Sequence, residues 1–324
     1  MALNLRHLLL IACGSIFLVA GCAQPETADP PQLSQTWQGN FSPGGSASGE
    51  HLKLLDWNIE RGLQFESIRE TLGAQAPDIC ILQEVDLNAR RTGSRNLAEG
   101  LARDLQLNYV FAIEFQELGQ GTPSLPAYHG QATLTRLPIL SHRVLRFTHQ
   151  SEFWRPRPYL PNWEMFQPRL GGRIALVTEL DWGGERLVVY NVHLESRMTA
   201  EGRLRQLREL ILDAQRYGAG APLVVAGDFN ARSRPELLTA HLEQEGFRNA
   251  VGSPQPTVPP QESMADSLLE SLVALLTEAE SRGDHRSIDW VFARGPLAFA
   301  VGRVHSEVQA SDHYPVSVQL AKDP

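Results

Sequence analysis

From about residue 51 onward, short apolar runs alternate with segments in which apolar residues recur every three or four positions. Leu52 to Trp57 reads as a strand, and the apolar run Ile79 to Leu82 predicts a buried strand. Between them, residues 65 to 76 place Ile68 and Leu72 on one face of a helix, and Leu97, Leu101 and Leu105 predict a second helix by their i, i+4 spacing. Strands are predicted over 109–115, 131–135, 139–147, 173–180 and 186–194, the last two joined by the turn sequence Asp181-Trp-Gly-Gly184. A helix carrying Leu204, Leu207 and Ile211 spans 201–217. A strand at 222–226 and a helix at 235–246 follow, then a helical excursion at 268–280 and strands at 287–292, 299–304 and 316–320. Helices that do not alternate strictly with strands predict an α/β (α+β) four-layer sandwich: two packed mixed β-sheets flanked by helices.

The first 21 residues have a different pattern. Arg6 precedes the apolar stretch Leu8 to Ala20, and Val19-Ala20-Gly21-Cys22 resembles a bacterial lipobox, with Cys22 the lipidated residue after cleavage. A membrane-spanning helix needs about 20 apolar residues, more than this stretch provides. Ala23 after the cysteine resembles outer-membrane sorting in two-membrane bacteria. The expected organisation is a signal at 1–21, a lipidated Cys22 with a Pro/Gly/Ser-rich flexible tether to residue 50, and one domain at 51–324, anchored on the extracytoplasmic side of the envelope. With Cys13 in the signal and Cys22 acylated, only Cys80 remains, so no intrachain disulfide forms. Its apolar run predicts a buried small hydrophobe.

The 324 residues are 42% hydrophobic and 20% charged, an ordinary globular composition with net charge −8. An acidic chain lacks the basic excess from which tight nonspecific duplex binding comes, so nucleic acid is compatible but not favoured. A monomer is expected.

Polar residues capable of chemistry fall at the C-terminal edges of the apolar runs. Asn58-Ile59-Glu60 follows the first strand, and alternation would turn Asn58 and Glu60 to one side. Read alone it is also consistent with a turn. Gln83-Glu84 follows the buried run at 79–82, where an unpaired carboxylate is costly, so Glu84 is either an ion-paired strand end or a metal ligand. Asn191-Val192-His193-Leu194 ends another strand. Its His193 alone reads as readily as a structural hydrogen-bonder. Gly227-Asp228-Phe229-Asn230 is sharper: glycine permits close backbone approach, and Asp228 and Asn230 are read as sharing a side. Asp289, in Ser287-Ile288-Asp289-Trp290, is out of place in a strand unless paired. Ser311-Asp312-His313-Tyr314-Pro315 supplies a histidine it could orient. Acids, amides and histidines delivered to one rim suit a hard divalent ion and phosphate-ester cleavage.

These six motifs, in this order, resemble the endonuclease/exonuclease/phosphatase superfamily with the deoxyribonuclease-I-like fold, from about Leu52 to Leu320. Gly130-Gln-Ala-Thr-Leu-Thr-Arg136-Leu-Pro-Ile139 resembles the family's central strand pair, and Arg203 with Gln206 its helix before the Gly-Asp-Phe-Asn strand. The resemblance implies that Asn58 and Glu84 lie at a Mg²⁺ site (Mn²⁺ as the alternative), with Asp312 nearby and Glu60 at a position usually held by an acid. It implies that His193 matches the catalytic histidine of secreted nucleases, sphingomyelinases and phosphoinositide phosphatases, which repair nucleases of the superfamily usually lack. Asp228 and Asn230 would orient nucleophile and phosphate, and Asp289 would pair with His313. The expected activity is metal-dependent phosphoester hydrolysis by water attack, on phospholipid or head-group esters. An extracytoplasmic nuclease and a non-catalytic envelope lipoprotein are the competing readings. Two stretches fall outside the resemblance: the aromatic loop at 148–172 and the excursion at 252–283.

Overall fold

The computed structural model describes residues 30–43, 49–157, 167–260 and 285–323. Strands β1 Thr36–Gly39, β2 His51–Arg61, β3 Ile79–Leu87, β4 Asn108–Glu117, β5 Ala127–Thr135, β7 Arg169–Gly171, β13 Leu297–Phe299, β14 Arg303–Val304 and β15 Val316–Lys322 form a nine-stranded sheet. Its main path runs β1-β4-β5-β3-β2-β15-β13, with β7 on β4 and β14 on β15. A six-stranded sheet holds β6 Ile139–Arg146, β8 Ile174–Trp182, β9 Glu185–His193, β10 Leu223–Asp228, β11 Arg248–Asn249 and β12 Asp289–Arg294, in the order β11-β12-β10-β9-β8-β6. Both sheets are mixed: β2 runs parallel to β3 and β10 parallel to β9, while their other neighbours are antiparallel.

Period-2 alternation divides each central strand between two cores. Leu54, Ile81, Val189 and Val224 face the space between the sheets. Their chain neighbours Leu55 and Cys80 face helices α1 Phe65–Gln75 and α2 Leu97–Leu105, through Ile68, Leu72, Leu97 and Leu101. On the other sheet Val188 and Val225 face α3 Ala200–Ala214 and α4 Glu236–Gln244, through Leu207, Ile211, Leu238 and Leu242. Helix, sheet, sheet and helix give the four layers expected, and burial on both faces explains why the strands read as continuous apolar runs. Cys80 is fully buried, and burial pushes its thiol up to about 12, so it is inert packing.

Several expected elements change. Part of the stretch read as tether belongs to the fold: β1 pairs antiparallel with β4, Leu33 is buried, and the Trp37 ring lies 5.9 Å from Phe111 and 6.0 Å from Tyr128. Three apolar side chains, Leu33, Trp37 and Phe41, dock this segment despite its Pro/Gly/Ser-rich composition. The strand expected at 299–304 is two short ones, broken at the exposed Val301. The helix expected at 268–280, together with Cys22 and the signal, lies outside the described residues. Among the described residues no helix is long and apolar enough to cross a membrane.

Candidate active site

Three strands of the large sheet carry an extra residue at the same level. Between Asn58 and Arg61, β2 has one more residue than β3. Between Leu82 and Val85, β3 has one more than β5. Between Ile113 and Phe115, β4 has one more than β5. Each bulge contains an acid: Glu60, Glu84 and Glu114. A bulge re-aims a side chain without ending the strand, and bulges gather at active sites. Glu60 and Glu84 therefore lie within β2 and β3, not just past them as the apolar runs imply. Both have left-handed backbone, φ 47° and φ 54°, conformations that non-glycine residues hold only where packing enforces them.

Glycine permits the matching close approaches. A Cβ on Gly130 would stand 1.9 Å from Ala112 O opposite the β4 bulge. One on Gly227, at φ +143°, would stand 1.9 Å from Val192 O where β10 presses against β9. That second contact brings Asp228 level with His193 in the parallel pairing and with Asp289 in the antiparallel one.

One oxygen of Asp228 is the meeting point. Its Oδ2 accepts from Asn58 Nδ2 at 3.2 Å, and it lies 3.5 Å from His193 Nε2 and 3.8 Å from His313 Nε2. Its Oδ1 accepts from the Asn230 backbone N–H at 2.8 Å, and Asn230 Nδ2 donates to Leu194 O at 2.9 Å. Asn230 sits at φ 48°, so it turns sharply away from the strand rather than continuing the alternation expected from Asp228. Behind His313, both Asp289 oxygens face Nδ1, at 2.9 and 3.0 Å, and Thr257 Oγ1 accepts from the Asp289 N–H at 3.1 Å. Burial opposes charge on His313, but Asp289 and then Asp228 outweigh it and raise its pKa to about 10. The ring is an imidazolium between two carboxylates. Burial likewise pushes the Asp289 carboxyl up, with the His313 charge pulling it back.

Beside this cluster lies an oxygen-rich patch. Burial, then Asp312 and Glu84, push the Glu60 carboxyl above its ordinary range, a sign of three acids crowded together. Glu84 is partly open to solvent. Burial would raise its carboxyl, but His129, Arg61, His193 and Arg169 around it together hold it well below the usual range. Asp312 is exposed at the rim, and Asn58 Oδ1 accepts from the Glu60 N–H at 3.1 Å, leaving it a second lone pair. Mutually repelling carboxylates with an amide oxygen fit a hard divalent cation. Asp228, Asp289 and His313 also bring ligand atoms within 4.8 Å of one another. There, however, His313 Nδ1 is already held by Asp289, and an ion could reach the ring only through Nε2 at the cost of its proton.

All nine residues singled out at the strand ends lie in described segments, and they fall into these two adjoining groups. The sequence reading missed the support beneath them. Glu114 and Arg173 are buried and paired at 2.8 Å, Arg173 Nη1 lies 2.9 Å from His193 Nδ1, and Glu114 Oε1 lies 3.4 Å from the same nitrogen. Burial would raise Glu114, but His193 and Arg173 beside it bring it down to about 2. Asp56 is also fully buried. Its Oδ1 accepts from Gln83 Nε2 at 2.9 Å, and burial followed by the negative Asp289 pushes its carboxyl well above its ordinary value. An acid inside an apolar strand pattern was signal enough for both, by the argument that singled out Asp289.

Part of the aromatic loop reaches this region. Trp154 Nε1 donates to Glu195 Oε1 at 3.3 Å, and the Trp154 ring carries the Arg169 guanidinium 4.8 Å from its centroid. Tyr159, Trp163 and Phe166 lie outside the described residues.

Comparison with known proteins agrees with this geometry. The family model described as Endonuclease/Exonuclease/phosphatase family matches residues 57–313. An endonuclease/exonuclease/phosphatase from Beutenbergia cavernae is similar in structure, with TM-score 0.56 and 20% identity over 84% of this chain and 72% of that one. The catalytic domain of human Nocturnin, solved with bound sulfate, gives TM-score 0.57 and 17% identity over 84% and 95%. A humanized Danio rerio TDP2 gives 0.51 and 15% over 85% and 100%. At these identities the neighbours show the fold alone. No protein of curated function matches. A family match reaching from Trp57 to His313 takes in every residue singled out in the six motifs, and the chain belongs to the endonuclease/exonuclease/phosphatase family of phosphoester hydrolases.

Proposed function

We propose that this chain hydrolyses phosphate esters with Mg²⁺, or Mn²⁺ in its place, outside the cytoplasm and tethered by lipid at Cys22. The hydrolytic reading is carried by one observation: Asn58, His193 and His313 converge on a single Asp228 oxygen. Asn58, Glu60, Glu84 and Asp312 would hold the cation, which would polarise a phosphoryl oxygen and offset developing charge. Asp228 is placed to take the proton from an attacking water. His313 is not: as an imidazolium it has no lone pair to offer, so it stabilises charge or donates a proton. His193 Nε2–H and the second amide hydrogen of Asn230 would donate to phosphoryl oxygens.

Phospholipid or head-group esters are the substrate class best supported, by the lipobox, the acidic charge and the aromatic side chains of Phe153 and Trp154 beside the site. External DNA is the second reading, supported by His193 and opposed by the charge. The test is an assay of the lipidated protein in detergent with Mg²⁺, and EDTA as control, on bis-p-nitrophenyl phosphate, plasmid DNA, sphingomyelin and phosphoinositides. Cleavage confined to the lipid esters supports the first reading, and cleavage of the plasmid the second. No turnover of any ester would leave a non-catalytic binding lipoprotein. His313→Ala should lower turnover roughly 10²–10⁴-fold, the range for one acid-base group, with the fold intact. Anchoring is checked separately: palmitate labelling should vanish in Cys22→Ala.

A further inference from the structure

Four arginines, Arg61, Arg91, Arg169 and Arg173, stand around the bulged strands. Three are matched by carboxylates. Arg91 pairs with Asp86 at 2.7 Å and Glu117 at 3.1 Å, Arg169 with Glu117 at 2.9 Å, and Arg173 with Glu114 at 2.8 Å. Arg61 is the exception. Among the described residues no carboxylate lies within ion-pair reach of it, and its sole hydrogen bond goes from Nη2 to a neutral oxygen, Gln167 Oε1, at 3.3 Å; its buried Nε, like those of Arg169 and Arg173, has no hydrogen-bond acceptor. The same Gln167 oxygen lies 3.5 Å from Arg169 Nη2. Two guanidiniums are thus drawn to one amide, and Arg169 is 4% exposed.

Local backbone fixes this arrangement. Glu60, Arg61 and Gly62 have φ of 47°, 64° and 74°, three left-handed residues in succession at the end of β2. The β2 bulge and this turn aim Arg61 to the flank of Glu84 and Glu60, whose carboxyls both feel its charge. Once those carboxylates are engaged by a cation, the field of Arg61 is no longer offset by them, and an incompletely bonded guanidinium there recognises an oxyanion.

Resting on the hydrolase reading above, we infer that Arg61, backed by Gln167 and Arg169, is a substrate-binding residue. It takes phosphoryl oxyanion charge beyond the single charge of a simple diester. That charge has two sources: the second oxygen of a monoester, or a second phosphate elsewhere on the substrate.

The test uses the intact protein with Mg²⁺ and chromogenic esters. Bis-p-nitrophenyl phosphate carries one charge, and p-nitrophenyl phosphate two at the scissile phosphorus. The p-nitrophenyl ester of thymidine 5′-phosphate, with and without a 3′-phosphate, places the extra charge elsewhere. Arg61→Met should lower kcat/KM about 10- to 100-fold, the cost of a charge-assisted hydrogen bond, on the substrate bearing the extra charge at the recognised position. It should leave the singly charged esters within about threefold. Arg61→Lys should recover part of the loss. Selective loss on p-nitrophenyl phosphate identifies a monoester site, and selective loss on the 3′-phosphorylated nucleotide a second-phosphate site. Equal loss on all four overturns the inference and makes Arg61 a support for Glu84. Calorimetric titration of inorganic phosphate into the Mg²⁺-loaded protein measures the same recognition without turnover. Binding weakened tenfold or more in Arg61→Met sustains the inference even where no ester is cleaved and the hydrolase reading fails, and unchanged binding overturns it.

Discussion

Arg173 sets the tautomer of His193. Its Nη1 stands 2.9 Å from the ring's Nδ1, and a guanidinium N–H only donates, so Nδ1 is the acceptor and the ring proton sits on Nε2, 3.5 Å from Asp228 Oδ2. The second hydrogen on Nη1 serves Glu114 Oε2 at 2.8 Å. Glu114 and Arg173 come from β4 and from the residue just ahead of β8, in different sheets, so the device spans the interface between them.

Removing Arg173 alone would leave the buried Glu114 without its counter-charge, although the Gln131 amide still donates to its Oε1 at 2.9 Å. Arg173→Met should therefore lose about 3–5 kcal/mol in urea unfolding, the cost of breaking a buried pair. The double variant Glu114→Gln with Arg173→Met removes both charges and should recover most of that stability. His193 would then choose either tautomer. Turnover should fall about 10²-fold, the lower end of the general acid–base range, and the imidazole nitrogen shifts in an NMR spectrum should report a mixture. A double variant with full turnover and an unchanged tautomer would remove Arg173 from this role.

Glu84 is expected to act through the cation. Its carboxyl is held low although burial opposes ionisation, so it is charged and available at neutral pH. Glu84→Gln keeps the shape and removes the charge. The Mg²⁺ half-saturation, read by titration calorimetry as well as by activity, should rise at least about 10-fold, comparable to losses at metal-supporting positions. The same half-saturation in both proteins would exclude Glu84 as a ligand.

Asp228, Asn230 and His313 were legible in the sequence because each interrupts or ends an apolar run, and a polar side chain there must find a partner or a function. The layers were legible for a related reason: strands covered on both faces have no polar period to hide. The bulges were not. Alternation counts one residue per step, and the extra residues in β2, β3 and β4 break that count where the acids sit. Arg173 looked like an ordinary strand residue because it is neutralised by a partner 59 positions away, a pairing that local pattern does not encode. At the N-terminal side, composition outweighed three spaced apolar residues, Leu33, Trp37 and Phe41, that dock the segment on the sheet.

The charge on His313 links stability to pH, and the sign follows from the direction of its shift. The folded protein holds the imidazolium proton up to about pH 10, through Asp289 and Asp228 and against burial, while an unfolded histidine releases it near 6.5. A raised pKa contributes stability that is complete below the unfolded value and is lost as pH rises through the folded one. In EDTA, where no cation competes, the Tm of wild type should therefore exceed that of His313→Gln most at about pH 6. The gap should narrow steadily above about pH 6.5 and close near the upper end of that window. Asp289 sharpens the contrast, because in His313→Gln it is left buried without its counter-charge and its carboxyl takes up a proton instead. Differential scanning calorimetry of both proteins at several values between about pH 6 and about pH 10.5 measures the gap directly. A gap that stays constant across the range would mean that His313 is neutral in the folded protein, and His313 would then regain a lone pair with which to compete with Asp228 for the proton of the attacking water.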